Sequence, residues 1–233
     1  MDDGALLHDW RIEPREYARL EERRGRRHAY EATDPRRTAL VVVDLVPFFV
    51  EELPYVRGIL PQVERLATAV RRTGGVVAWV VPAVAPPSPG AVEFWGPRVA
   101  ARYGASGGEG PPRSRLWSGF QVDDGDLVVE KSASSAFFPG RCELHGLLQE
   151  RGVDTVVVVG AVTNVCCEST VRDAATLEYR VVMVADANAA VNDTAHNATL
   201  TTVYRSFGDV RTTDEVVDLL MGSGSPAPPS TAA

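Results

Sequence analysis

The chain has 233 residues and a formal net charge of −7, from 24 basic and 31 acidic side chains, and 45% of its residues are hydrophobic. This length suits one domain of roughly 200 residues with a full hydrophobic core, and the acidic balance argues against nucleic acid or an anionic membrane surface as partner. The start Met1-Asp2-Asp3-Gly4 lacks the basic and apolar regions of a signal peptide, no apolar run approaches the ~18–20 residues that span a bilayer, and three cysteines, two of them adjacent, form no disulfide framework, so a cytoplasmic, reduced protein with a small-molecule partner is expected.

Residues 1–35 are charge-dense and read as an N-terminal arm with a short helix, whose Leu6, Leu7, Trp10, Ile12, Tyr17 and Leu20 would anchor it on the domain or on a second subunit. Its Arg23-Arg24-Gly25-Arg26-Arg27 run reads as a solvated helix face, because Glu13, Glu16, Glu21 and Glu22 lie beside it. From residue 36 to 221 the pattern is one of alternating strands and helices. Ala39–Asp44, Val76–Val81, Leu127–Glu130, Thr155–Val159 and Val181–Ala185 are short β-branched runs, and Val210-Arg211 marks a short sixth. Their continuous apolar character predicts strands buried on both faces, as in a parallel sheet. Between them, 58–73, 140–151, 166–178 and 190–205 read as amphipathic helices, the first closed by Gly74-Gly75. The predicted fold is a three-layer α/β/α sandwich with a six-stranded, mostly parallel sheet. Residues 82–125, rich in Pro and Gly but carrying Phe94, Trp95, Trp117 and Phe120, read as an ordered connection that covers a pocket or packs on the sheet edge. Residues 222–233 read as a disordered tail.

Ligands of open α/β sheets sit beyond the carboxyl ends of the strands. Asp44 ends the first predicted strand, Lys131 ends the third, and Gly160-Ala-Val-Thr-Asn-Val-Cys166 leads from the fourth into a helix. Lys131 is the one lysine among 24 basic residues, in a composition where Arg stands wherever only positive charge is needed. A position that keeps the smaller ammonium is therefore a candidate for chemistry. A thiol becomes nucleophilic when its pKa is lowered by a cation or a helix N-terminus. Thr163 or Asn164 as N-cap would put Cys166 in the first helical turn, with Lys131 as the nearby cation and Asp44 as proton acceptor. Cys142, read as mid-helix, and Cys167 are expected to be core residues.

Asp44, the segment Glu130-Lys131-Ser132-Ala-Ser-Ser135-Ala-Phe137-Phe138, and Gly160-Ala-Val-Thr-Asn-Val-Cys166-Cys-Glu168-Ser169-Thr170-Val-Arg172-Asp173-Ala174 resemble the isochorismatase-like cysteine hydrolases, over roughly residues 36–213. The resemblance implies an Asp44–Lys131–Cys166 triad, a cis peptide at Ala161–Val162, oxyanion donors in the backbone N–H groups of Val162 and Cys166, and a dimer or tetramer. Where many relatives carry Met-Gln-Asn-Asp-Phe after the acid, this chain has Leu45-Val46-Pro47-Phe48-Phe49, which makes the pocket wall more apolar. The Asp-x-His pair of the metal-dependent nicotinamidases is replaced by Trp79-Val-Val-Pro-Ala-Val, and His8, His28, His145 and His196 are scattered along the chain, so no metal and no other cofactor is expected and nicotinamide is disfavoured. The expected activity is cysteine-dependent hydrolysis of a small linear amide, ureido or N-carbamoyl C–N bond through a thioester. Phe48, Trp95, Phe137, Phe138 and Asn164 are the expected substrate contacts. Two alternatives are vinyl-ether hydrolysis with Asp44 as general acid and a non-catalytic binding module of the same fold.

Overall fold

The computed structural model describes residues 4–222. In chain order its elements are α1 (Pro14–Arg24), β1 (Thr38–Val43), α2 (Pro47–Glu52), α3 (Pro54–Arg72), β2 (Val76–Pro82), α4 (Pro89–Trp95), α5 (Pro97–Gly104), β3 (Leu127–Lys131), α6 (Leu144–Glu150), β4 (Thr155–Ala161), α7 (Glu168–Thr176), β5 (Arg180–Ala189), α8 (Asp193–Ser206), β6 (Asp209–Arg211) and α9 (Thr213–Met221). The β-branched runs pair in parallel throughout, in the order β3-β2-β1-β4-β5-β6. Every residue of β1 and β4 is buried, as expected of central strands covered on both faces. On one face Val41, Val43, Val156 and Val158 pack with Leu20, Leu144, Val171 and Leu200 of α1, α6, α7 and α8. On the other, Leu40, Val42, Val157 and Val159 pack with Ile59, Leu66 and Leu220 of α3 and α9.

The chain runs outward from β1 through β2 to β3, then returns to place β4 on the other side of β1. Strand order therefore reverses between β1 and β4, and their carboxyl ends form the topological switch point at which open α/β sheets bind ligands. The two backbones meet closely there: a Cβ on Gly160, whose φ is +123°, would lie 2.1 Å from the carbonyl oxygen of Val43. Glycine is the residue that allows both the conformation and the contact.

Several boundaries differ from the sequence reading. β5 runs to Ala189 because Asn188, fully buried, donates its amide to the carbonyls of Val158 and Val184 and so carries the strand past a register shift between Val158 and Gly160. The helix expected over 140–151 starts only at Leu144, which leaves Cys142 in the preceding loop, half-buried against the core. The 82–125 connection holds α4, α5 and a 3-10 turn at Pro112–Arg115. Within it Phe120 packs on Trp79 at 4.9 Å between ring centroids, whereas Phe94 and Trp95 stay 79% and 48% exposed.

The arm docks on its own domain. Arg205 of α8 pairs with both oxygens of Glu16, and Tyr17 meets Tyr204 edge-on at 5.1 Å. The arginine run is more than a solvated face: Arg24 donates to the carbonyls of Arg26 and Arg27 and to the Tyr204 hydroxyl, and the Arg27 guanidinium lies 3.8 Å from the Tyr17 ring centre. The expected tail from residue 223 onward falls outside the described residues. Among the described residues no helix is long and apolar enough to cross a membrane.

Candidate active site

Asp44 follows the last residue of β1 in a left-handed conformation, φ 57°, with its N–H donated to the carbonyl of Val80 at 2.9 Å. A short polar residue tolerates that conformation better than the β-branched valines before it. Lys131 is the last residue of β3 and lies level with Pro82 of β2. Its four-carbon stem spans the end of β2 to reach the acid. The ammonium has three acceptors: Asp44 Oδ2 at 2.8 Å, the Ala133 carbonyl at 3.2 Å and Cys166 Sγ at 3.5 Å. Acid and amine are buried, 1% and 5% exposed, while Cys166 is half-buried. Among the described residues no backbone N–H bonds to either Asp44 oxygen. The carboxylate faces the ammonium and the thiol.

Cys166 sits on a π-helical turn, Thr163–Cys167, that precedes α7. The N-cap differs from the expectation. Val162 holds that position without a side-chain bond, Asn164 is exposed, and the Thr163 hydroxyl turns inward to His196 Nδ1 at 2.9 Å. The carbonyl of Cys166 accepts the Thr170 hydroxyl at 2.7 Å, and Thr170 Oγ1 in turn accepts the Ala136 N–H at 3.1 Å, which ties the turn to the segment after Lys131. The peptide Ala161–Val162 is cis. Cys167 is fully buried in the core beside Val171 and Ala174, as its sequence position predicts.

The electrostatics correct one expectation. Burial and the neighbouring Asp44 carboxylate push the Cys166 thiol up to about 12, against the downward pull of Lys131. Burial also raises Asp44, with Lys131 opposing. Burial would lower Lys131, but Asp44 and Cys166 outweigh it and hold the ammonium charged. At rest the ammonium is therefore charged and the thiol neutral, with the Asp44 carboxyl 2.8 Å from Lys131 Nζ. Moving the thiol proton onto Asp44 leaves the net charge of the group unchanged, so the site can form a thiolate without importing charge into a low-dielectric environment.

The expected substrate contacts divide. Phe48, half-buried, lies 6.1 Å from the Tyr103 ring at a 59° tilt and under the Arg102 guanidinium at 5.3 Å. Tyr103 in turn meets Trp95 at 5.4 Å, and Phe138 is 51% exposed. Phe137 is no pocket wall. It is 2% exposed and lies in the core 5.3 Å from the Tyr179 ring, because Ser135 and Phe137 turn inward where Phe138 turns out. Two of the four histidines meet in space: His8 of the arm stacks on His196 at 4.1 Å, while His28 lies beside Asp209 and Glu215 and His145 beside Tyr179. Sequence periodicity carries no signal for a pair 188 residues apart; it missed Thr170 and His196 as supports of the cysteine turn and read Thr163 as an N-cap rather than as the partner of His196. Grooves of 510 Å³ between α3 and α9 and 390 Å³ between the arm and α8 lie away from the triad residues.

The fold and site define an open, all-parallel α/β protein with an acid, an amine and a thiol at its topological switch point. Residues 38–215 match the family model of the isochorismatase domain, and the chain belongs to the isochorismatase family of hydrolases. It is similar to a cysteine hydrolase from Pseudomonas syringae pv. phaseolicola, with TM-score 0.73 and 27% identity over 84% of this chain and 97% of that one. It is also similar to N-carbamoylsarcosine amidase from Thermoplasma acidophilum, with TM-score 0.63 and 29% identity over 76% and 97%. Against the ureidoacrylate amidohydrolase RutB of Variovorax paradoxus it is 38% identical over 122 residues, which is 52% of this chain and 46% of that enzyme.

Proposed function

We propose that the protein hydrolyses a non-peptide C–N bond in a small linear amide, ureido or N-carbamoyl compound, with Cys166 as nucleophile. The observation that carries this reading is the single ammonium shared by a buried carboxylate and a thiol, 2.8 Å from one and 3.5 Å from the other. The names of the amidase relatives supply the bond class.

Asp44 takes the thiol proton, and the Lys131 ammonium, in contact with both groups, pairs with the Asp44 carboxylate before the transfer and with the Cys166 thiolate after it. The Cys166 sulfur attacks the carbonyl carbon, and the backbone N–H groups of Val162 and Cys166 receive the developing oxyanion. Collapse breaks the C–N bond, and Asp44 returns its proton to the departing nitrogen, leaving a thioester. A water molecule gives a proton to Asp44 and attacks the thioester, and the released sulfur recovers that proton. Phe48, Trp95 and Phe138 form an apolar rim for the substrate, with Asn164 as its exposed amide. Assembly into a dimer or tetramer belongs to the same reading and is tested by light scattering.

The test is an assay of ammonia or amine release across linear amides, ureido acids and N-carbamoyl amino acids. Release is expected from at least one class, with Cys166→Ala inactive and Cys167→Ala active. Release that survives Cys166→Ala sinks the covalent mechanism. Release from an isochorismate-like vinyl ether alone sinks the bond class.

A further inference from the structure

The arm reaches the carboxyl edge of the sheet as well as α8. The Leu6 N–H donates to the Pro54 carbonyl at 3.1 Å, and the Leu6 carbonyl lies where a Cβ on Gly58 would come within 1.9 Å of its oxygen. This seat on α3 delivers His8 between two rings, Tyr55 at 3.9 Å and His196 at 4.1 Å, both within 7° of parallel. The His8 side chain is 2% exposed. Its Nε2 accepts the backbone N–H of Ala190 at 3.0 Å, so the proton is on Nδ1 and is donated to Asp193 at 2.6 Å. His196 is fixed in the same way. Its Nε2 faces the Ala185 carbonyl at 3.0 Å and must carry the proton, which leaves Nδ1 to accept the Thr163 hydroxyl at 2.9 Å.

These contacts form one chain from the arm to the nucleophile: His8, His196, Thr163, and then the turn Thr163–Cys167 that carries the Cys166 thiol. We propose that His8 is a positioning residue, which clamps the His196 ring from the arm side and through it holds Thr163 and the cysteine turn in register with Lys131 and Asp44. The arm is then part of the active-site scaffold. His8 touches no reacting atom, and the consequence for turnover rests on the cysteine-hydrolase reading above.

Three full-length variants test this. His8→Ala removes the clamp. Gly58→Ala keeps the imidazole but displaces the arm backbone that seats it. His8→Phe keeps the stacked ring and drops both polar contacts. For a loosened turn, kcat on the best substrate of the amide panel is expected to fall about tenfold or more in His8→Ala and Gly58→Ala, with KM within about threefold. His8→Phe is expected to recover most of that loss, which a general loss of stability would not show. Hydrogen exchange reads the turn without any substrate. The amides of Val165 and Cys167, both bonded to the Val162 carbonyl, are expected to exchange about tenfold faster in His8→Ala and near the parent rate in His8→Phe. If exchange in the turn is unchanged in His8→Ala, or kcat stays within twofold, the positioning role is wrong. If the parent protein turns over no amide while the exchange pattern appears, the functional reading fails and the positioning role stands.

Discussion

At Asp44, burial and ion pairing pull in opposite directions, and burial wins: its carboxyl is raised above the ordinary carboxylate range while Lys131 pulls it down. The acid must be ionised at rest to accept the thiol proton, so activity is lost as pH falls through the raised value. The acid limb of kcat/KM against pH is therefore expected clearly above ~4, the usual aspartate midpoint. A limb at or below that value contradicts the assigned base. Lys131→Arg tests the ammonium. Lys131 is 5% exposed and divides three short contacts among one nitrogen. A planar guanidinium spreads its charge over a larger fork that this space does not admit. Turnover is expected to fall by on the order of 10³ or more in a variant that still folds by circular dichroism. The lysine's isolation in an arginine-rich composition was legible in the sequence. Its reach across β2 to Asp44 was not, because that depends on which strand lies between them.

Among the elements, the strands were the most legible and the helix ends the least. A run such as Thr155–Val159 is buried on both faces and can scarcely be anything but a central strand. The start of α7 was misread because periodicity does not distinguish a π-turn from a regular first turn. Here the inward pull of His196 on Thr163 replaces the expected cap. The close approach of β4 to β1 gives an element-scale prediction. Gly160→Ala puts a Cβ 2.1 Å from the Val43 carbonyl at a φ of +123°. Relief requires separating the two strands that carry Asp44 and the cysteine turn. A loss on the order of 3 kcal/mol in stability is expected, measured as a lower urea midpoint, together with loss of turnover.

At the scale of the molecule, the arm, α3, α8 and the cysteine turn converge on a buried imidazole. Burial lowers His196 to about 3, helped by the neighbouring His8 and opposed by the Ala185 carbonyl and Asp193. The ring is neutral in the fold, whereas in the unfolded chain it takes up a proton near ~6.5. Its share of stability is therefore complete above the unfolded value and is lost as pH falls from about 6.5 toward 3. Urea midpoints are expected to show roughly 3 kcal/mol less stability at pH 4 than at pH 7 from this group. His196→Asn is expected to be less stable than the parent at pH 7, with the gap narrowing at pH 4. A gap that stays constant over that range means the imidazole is not held neutral.

The layered fold, the parallel sheet and the three strand-end residues are legible in the residue order alone, because burial on both faces and position after a strand are local properties written in consecutive residues. How those residues act on one another follows from the packing of the whole domain. It put one ammonium within reach of both the acid and the thiol, kept the thiol neutral at rest, moved Phe137 from the pocket to the core, and brought His8 of the arm onto His196. Those outcomes depend on distances between residues far apart in the chain, and on how much water each charge has lost, neither of which any local pattern encodes.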